Sequence, residues 1–330
     1  MTENPVLDPA DLEWAEETLG ALATRFSSVV VGQERLLRSL LTTVLSSGHV
    51  LLESVPGLAK TLAASTLASS FSASFARVQC TPDLLPSDII GSQIFDPSTK
   101  GFVTELGPVH ANFILLDEIN RSSAKTQSAM LEAMQERQTT VGGTSYRLPD
   151  PFVVLATQNP IEEEGTYVLP QAQLDRFLLK EVIDYPIPND EIEVLHRVET
   201  GAITDPGPAV CGTDDLLKLQ RLAAAVRVAD PIKRYIVEIV NVTRRPGDFL
   251  DSGQARWIEH GSSPRGAIAF LLAAKASALL DGRDHVIPDD VTGMRHPVLR
   301  HRLLLSFEAL AERVAPESLI DDVFAAVPTP

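Results

Sequence analysis

Aromatic side chains are scarce in this 330-residue chain, at 5% of positions, and cysteine is scarcer still, with only Cys80 and Cys211. Two thiols far apart, in no CxxC or Cys/His cluster, exclude a disulfide framework and a zinc ribbon, and read as reduced core or surface thiols. Uninterrupted apolar runs of about 18 residues are also missing, which argues against a membrane span. The opening Met1-Thr-Glu-Asn-Pro5 has neither a basic segment nor an apolar one, so no secretory leader is read and a cytoplasmic location is expected. Positive charge is in deficit: 28 Lys and Arg stand against 44 Asp and Glu, for a net charge of −16. Such a chain has no bulk attraction for nucleic acid. Its basic clusters are Arg244-Arg245 and the stretch from Arg295 to Arg302, both read as solvated faces or subunit contacts. What is plentiful is ordinary for a globular protein, with 44% apolar and 22% charged residues.

Periodicity divides the chain near residue 185. Before it, helical spacing over 9–25, 33–47, 60–71 and 124–138 alternates with short apolar runs at His49–Glu53, Phe75–Gln79, Asn112–Leu116, Phe152–Leu155 and 178–183. Strands alternating with helices imply a mainly parallel sheet covered on both faces, an α/β domain over residues 1–184. Residues 92–111 read as an irregular excursion with turns at Asp96-Pro97, Lys100-Gly101 and Gly107-Pro108. Gly142-Gly143, between Thr139–Val141 and Thr144–Tyr146, marks a hairpin over about 139–147. After Tyr185-Pro-Ile-Pro188 the pattern predicts helices only, over 189–199, 213–227, 232–245, 264–281 and 288–320, so that residues 185–330 form a smaller all-helical domain.

Between the first strand and its helix lies Ser54-Val55-Pro56-Gly57-Leu58-Ala59-Lys60-Thr61. A phosphate-binding loop needs backbone N–H groups turned toward an anion, a lysine for the β and γ phosphates, and a hydroxyl for Mg²⁺. Lys60 and Thr61 supply the last two at a helix start, whereas Ser54 and Ala59 stand where the general pattern has glycine. Downstream, Asp117-Glu118 closes the apolar strand ending at Leu116, and places one carboxylate for the metal and one for the attacking water. Asn159 follows another core strand, where a polar side chain can reach a γ-phosphate; an Asn-Pro turn is the plainer reading. Arg176 and Arg265 bring cations suited to developing phosphate charge, the latter in the first turn of a helix capped by Ser263, where a cation opposes the helix dipole.

These stretches, in this order, resemble the MoxR family of AAA+ ATPases. The resemblance rests on Val31-Gly32-Gln33, Val55–Thr61, Thr81–Asp88, Leu116–Arg121 and Lys125–Ser128, then on Leu131–Gln138, Ala156–Pro160, Glu164–Tyr167, Gln173–Phe177 and Ser263-Pro-Arg265. It implies an AAA+ P-loop NTPase core followed by a helical lid, with ATP and Mg²⁺ as cofactors. Lys60 and Thr61 become the Walker A pair in a nucleotide-binding loop from Ser54 to Leu62, with Val31 and Gly32 near the adenine. Thr61 and Asp117 would organise Mg²⁺, Glu118 act as base, Asn159 as sensor 1, Arg176 as arginine finger in a neighbouring subunit's site, and Arg265 as sensor 2. The excursion at about 92–111 corresponds to the helix-2 insert and the 139–147 hairpin to the pre-sensor-1 hairpin. The family further implies a hexameric homo-oligomer, a partner with a von Willebrand factor A domain and a client enzyme to remodel or load with metal. A nucleic-acid motor and a low-turnover ATP-binding scaffold, the latter suggested by Ser54, are the competing expectations.

Overall fold

The computed structural model describes residues 7–160, 167–201 and 207–330. The extreme N-terminus and the motif residues Glu164 to Thr166 lie outside the described residues. Helices α1 (Pro9–Val29) and α2 (Glu34–Leu45) precede β1 (Val50–Glu53), α3 (Lys60–Ser70), β2 (Phe75–Gln79) and α4 (Pro86–Ile90). There follow β3 (Gly91–Asp96), β4 (Gly101–Leu106), β5 (Phe113–Asp117), α5 (Ala124–Glu136), β6 (Gln138–Val141), β7 (Thr144–Arg147), β8 (Val153–Gln158), α6 (Gln171–Leu174) and β9 (Leu179–Val182).

Five of these strands form one parallel sheet in the order β2-β5-β8-β1-β9. Their near-continuous apolar sequence follows from being covered on both faces. Side-chain alternation sorts the sheet into two cores. Val50, Leu52, Phe113 and Leu115 face α1, α2 and α3, while Leu51, Ile114, Leu116 and Val154 face Met130, Leu131 and Met134 of α5. The expected α/β class and its mainly parallel sheet are present.

The excursion at 92–111 is more regular than expected. Residues 91–106 form an antiparallel hairpin in which Gly91 pairs Leu106 and Asp96 pairs Gly101. Asp96 closes its turn by accepting from the backbone N–H of Ser98 at 2.8 Å and the hydroxyl of Thr99 at 3.1 Å. Turn residues dominate the sequence there, but the ladder is set by the pairing of Ile94 with Val103 and Phe95 with Phe102. This hairpin leans on the Gly142-Gly143 hairpin of β6 and β7, where Tyr146 donates to the Thr104 hydroxyl at 3.0 Å.

Beyond Tyr185 come α7 (Pro188–Thr200), α8 (Thr213–Ala225), α9 (Asp230–Arg244), α10 (Ser252–Ala255), β10 (Ile258–His260), α11 (Pro264–Leu280), α12 (Pro288–Gly293), α13 (Arg295–Leu299), β11 (Leu304–Leu305), α14 (Phe307–Ala311) and α15 (Pro316–Ala325). Two expectations need correction here. The region is not helical throughout, because β10 and β11 pair antiparallel. The long helix expected over 288–320 is four short helices and a strand. The chain turns at Met294 and again at 300–303, where Arg302 donates to the carbonyls of Phe177 at 2.7 Å and Leu178 at 3.0 Å, just before β9. Leu216, Leu219, Ile236 and Phe270 of this part share the core formed by β1, α1 and α2. Among the described residues no helix is long and apolar enough to cross a membrane.

Candidate active site

All five parallel strands point their carboxyl ends the same way, and the residues expected to meet nucleotide collect at that edge. Glu53 is in register with Gln158, and Gln79 with Asp117. The backbone N–H of Ser54 still donates to Gln158 at 3.2 Å, so the loop leaves the sheet only after its first residue. It then exposes Pro56 and Gly57 before α3 begins at Lys60. Gly57 has φ +89° and Ala59 has φ +54°, ψ +21°; Ser54 is not among the positive-φ residues. The strained glycine-type backbone therefore falls on Ala59, and Ser54 asks for nothing that serine cannot adopt. Lys60 folds back, its Nζ donating to the Ser54 carbonyl at 3.4 Å. Thr61 lies in the first turn of the 11-residue α3, whose free N–H groups and dipole favour an anion. Leu58 and Leu62 lie against the apolar core, and Val55 is half-buried. Open space surrounds Gly57, with nothing within 4 Å of a would-be Cβ. An exposed loop with a helix N-terminus and a lysine fits a polyphosphate.

Asp117 is buried at the end of β5, and Glu118 follows it in a left-handed conformation with φ +56°. Thr157 of β8 ties the pair together. Its hydroxyl donates to Asp117 Oδ1 at 2.8 Å and accepts from the Glu118 N–H at 2.8 Å. The other Asp117 oxygen is held by Arg77 Nη2 of β2 at 2.6 Å. Glu118 Oε2 accepts from Arg121 at 3.0 Å and from Gln79 Nε2 at 3.2 Å. The Asp117 carboxylate and the Thr61 hydroxyl are hard oxygen donors, which fit Mg²⁺ held jointly with phosphate oxygens. Asn159, buried, stands one residue past β8, beside the strand that launches the loop.

Gly32, with φ +66°, contributes to a cavity of about 130 Å³ that is also lined by Gln33, Val182, Ile183 and Tyr185. A Cβ at Gly32 would overlap the Asp190 carboxylate of α7. Val31 precedes it, and Ile183 donates to Glu53 at 2.9 Å, so this cavity flanks the loop from the β9 side.

Arg176 and Arg265 are elsewhere. Both line a cleft of about 320 Å³ together with Ser47, Gly48, His49 and Leu178, residues that precede β1 and β9. They sit at the amino edge of the sheet. Extended chain from Gly48 to Ser54 spans roughly 20 Å at about 3.3 Å per residue, so these arginines lie far from Lys60 of the same chain. Arg176 Nε is buried without a hydrogen-bond partner among the described residues. Sequence reasoning named Arg176 and Arg265 singly; it did not place them in one cleft, and it missed Arg77, Gln79, Arg121 and Thr157 as neighbours of the acidic pair.

A P-loop opening a helix, an acidic pair on the neighbouring strand but one, a polar residue on the strand between them and an appended lid define an AAA+ ATPase. The family model of the ATPase family associated with various cellular activities matches residues 49–179, and that of the AAA lid domain matches residues 251–323. The chaperone MoxR1 of Mycobacterium tuberculosis is 47% identical over 92% of this chain and 80% of its own length. The Bacillus subtilis protein YeaC is 46% identical over 94% of this chain and 95% of its own. A solved structure of a Cytophaga hutchinsonii protein, described as a proposed ATPase, superposes with a TM-score of 0.92 at 40% identity and covers 97% of both chains. This chain belongs to the MoxR family of AAA+ ATPases.

Proposed function

We propose that this protein binds ATP with Mg²⁺ at the carboxyl edge of the sheet and hydrolyses it at the interfaces of a homo-oligomeric, hexameric ring. The cycle remodels, assembles or metal-activates a client enzyme, with a von Willebrand factor A domain protein as partner, in the cytoplasm. In this reading residues 1–184 form the nucleotide-binding domain and 185–330 the lid. Lys60 and the loop from Ser54 to Leu62 hold the phosphates, Val31 and Gly32 flank the adenine, and Thr61 and Asp117 hold the metal. Mg²⁺ held by Thr61 and Asp117 would neutralise charge on the phosphate oxygens. Glu118 takes the proton of the attacking water and Asn159 orients the γ-phosphate. The chaperone role is supported by the name of the Mycobacterium tuberculosis relative.

The observation that carries the shared-site reading is the separation of the arginines from the loop. Arg176 and Arg265 share one cleft at the amino edge, while Lys60 opens its helix at the carboxyl edge. Arginines that cannot reach their own subunit's phosphate can stabilise a neighbour's, and a closed head-to-tail ring presents one edge of each subunit to the other edge of the next. Steady-state phosphate release by the purified chain tests this. Turnover should fall by about 10³-fold or more in Arg176→Ala while oligomer size is kept. Unchanged turnover in that variant would remove Arg176 from the site.

A further inference from the structure

Asp175 immediately precedes Arg176 and has no part in the scheme above. Its carboxylate is mostly buried and both oxygens are committed to the lid. Oδ1 accepts from Arg302 Nε at 2.9 Å, and Oδ2 from the Ser263 hydroxyl at 2.6 Å. Each partner is itself anchored. Ser263 is the N-cap of α11 and accepts the backbone N–H of Arg265 at 3.0 Å, so Asp175 is one hydroxyl away from the first turn that carries Arg265. Arg302 is almost wholly buried. Besides Asp175 it donates to the carbonyls of Phe177, Leu178 and Val298, binding α13 to the approach of β9. Burial lowers the Arg302 pKa to about 10 and Asp175 opposes that, so the guanidinium stays charged at neutral pH.

We infer that Asp175 is a positioning residue that locks Arg176 of the α/β domain and Arg265 of the lid into one cleft, so that both arginines arrive together at the neighbouring subunit's nucleotide. This inference rests on the shared-site reading above. Arg176 follows Asp175 directly on the backbone, and Arg265 is held through the Ser263 cap, so one carboxylate sets the spacing of two cations on different domains. Without it the like charges of Arg176, Arg265 and Arg302, which line the same cleft, have no acid among its lining residues to hold them together. The lid stays attached through other bonds: His301 Nε2 lies 3.1 Å from the Phe177 carbonyl, Gln171 donates to the His301 carbonyl at 2.7 Å, and Arg300 donates to Lys180 at 2.9 Å. Loss of Asp175 therefore loosens the pair of arginines more than it detaches the domain.

A complementation experiment on the 330-residue chain tests this. Misplacement of a catalytic group by about 1 Å costs up to about 100-fold in rate, so Asp175→Ala should lose about 10- to 100-fold in kcat for ATP while KM changes less than about two-fold, because its own Lys60 loop is intact. Lys60→Ala, which keeps the arginines but cannot hold phosphate, should be inactive. Mixed in equal amounts, the two should recover activity above either alone, since intact arginines of the Lys60→Ala subunits then serve the nucleotide of the Asp175→Ala subunits. Arg176→Ala mixed with Lys60→Ala is the parallel arm. Recovery in the Arg176 mixture but none with Asp175→Ala would overturn the positioning role and leave the shared site standing. No recovery in either would overturn the shared site itself. Asp175→Asn, which keeps one acceptor for Arg302 at nearly the same volume, should lose less than Asp175→Ala. It serves as the test protein in the same mixtures should the alanine variant not fold, and an unaltered kcat in Asp175→Asn and Asp175→Ala alike would also overturn the inference.

Discussion

Arg77 Nη2 lies 2.6 Å from Asp117 Oδ2, so the acid that would meet the metal is already paired with a cation carried on the next strand. Arg77 is half-exposed and the pair is wet on one side, which limits its strength to about 1 kcal/mol or less. Mg²⁺ entering with nucleotide must compete with that guanidinium. Arg77→Gln should therefore lower the Mg²⁺ concentration for half-maximal phosphate release, by up to about five-fold, the equivalent of about 1 kcal/mol. A Mg²⁺ titration at saturating ATP measures it; a higher requirement in the variant would mean that Arg77 helps to build the metal site.

Glu118 hangs between Arg121 and Gln79, poised at the edge but tethered. Replacing it with Gln keeps the shape and removes the base. Glu118→Gln should bind a fluorescent ATP analogue with unchanged affinity and lose about 10²- to 10⁴-fold in phosphate release. Near-normal turnover would show that another group accepts the proton.

Ala59 carries the left-handed backbone of the loop, and Ser54 does not. A non-glycine residue there costs roughly 1–2 kcal/mol, offset in a glycine variant by about 0.4–1 kcal/mol of unfolded-chain entropy. Ala59→Gly should accordingly raise the melting temperature by roughly 2 °C, and Ser54→Gly should leave both turnover and melting nearly where they are. Faster phosphate release from Ser54→Gly would show that serine restrains the loop by bulk rather than by backbone angle.

Two buried histidines set an acid limit. His49 accepts the backbone N–H of Val154 at 3.0 Å; burial first, and Arg137 second, lower its pKa from the ordinary 6.5 to about 3. Burial, with Arg302, Arg300 and Lys180 nearby, lowers His301 well below 6.5 as well. Both are neutral when folded, whereas the unfolded chain protonates them below pH 6.5, so the unfolded state binds more protons and stability falls as pH drops from about 6.5 toward 3. His49, with its folded pKa near 3, contributes up to about 1 kcal/mol per pH unit in that window, and His301 adds in the same direction. Glu181, raised by burial, acts in the opposite sense, because its folded form holds a proton longer. Denaturant melts at stepped pH should show the decline beginning near pH 6.5, and His49→Asn, which keeps an acceptor for Val154, should flatten it. An unchanged slope in that variant would place the acid sensitivity elsewhere.

Much of the candidate site was legible from residue order alone. Lys60-Thr61 after an apolar strand and Asp117-Glu118 at the end of another are local patterns, because a phosphate loop and a strand-end acid pair are each built from contiguous residues. The parallel sheet was legible too, since buried strands on both faces read as unbroken apolar runs. Arg77 and Gln79 were not, because nothing in Phe75–Gln79 says that this strand lies beside β5; only the register of Gln79 with Asp117 turns alternate β2 side chains toward the acids. The 288–320 region misled for a related reason. Its apolar spacing is helical, but the chain turns at Met294 and again at 300–303, and there Arg302 joins the carbonyls before β9 to that of Val298 in α13, a long-range contact no local pattern encodes.

The sequence by itself determined the loop, the acid pair, the α/β core and the family, because each depends on short-range order in the chain. Only the tertiary structure decided that Arg176 and Arg265 share a cleft away from Lys60, that Asp175 bonds Ser263 and Arg302, and that Arg77 pairs with Asp117. Those relations join residues far apart in sequence, and they exist only once the order of strands and the docking of the lid have brought opposite charges within hydrogen-bond reach.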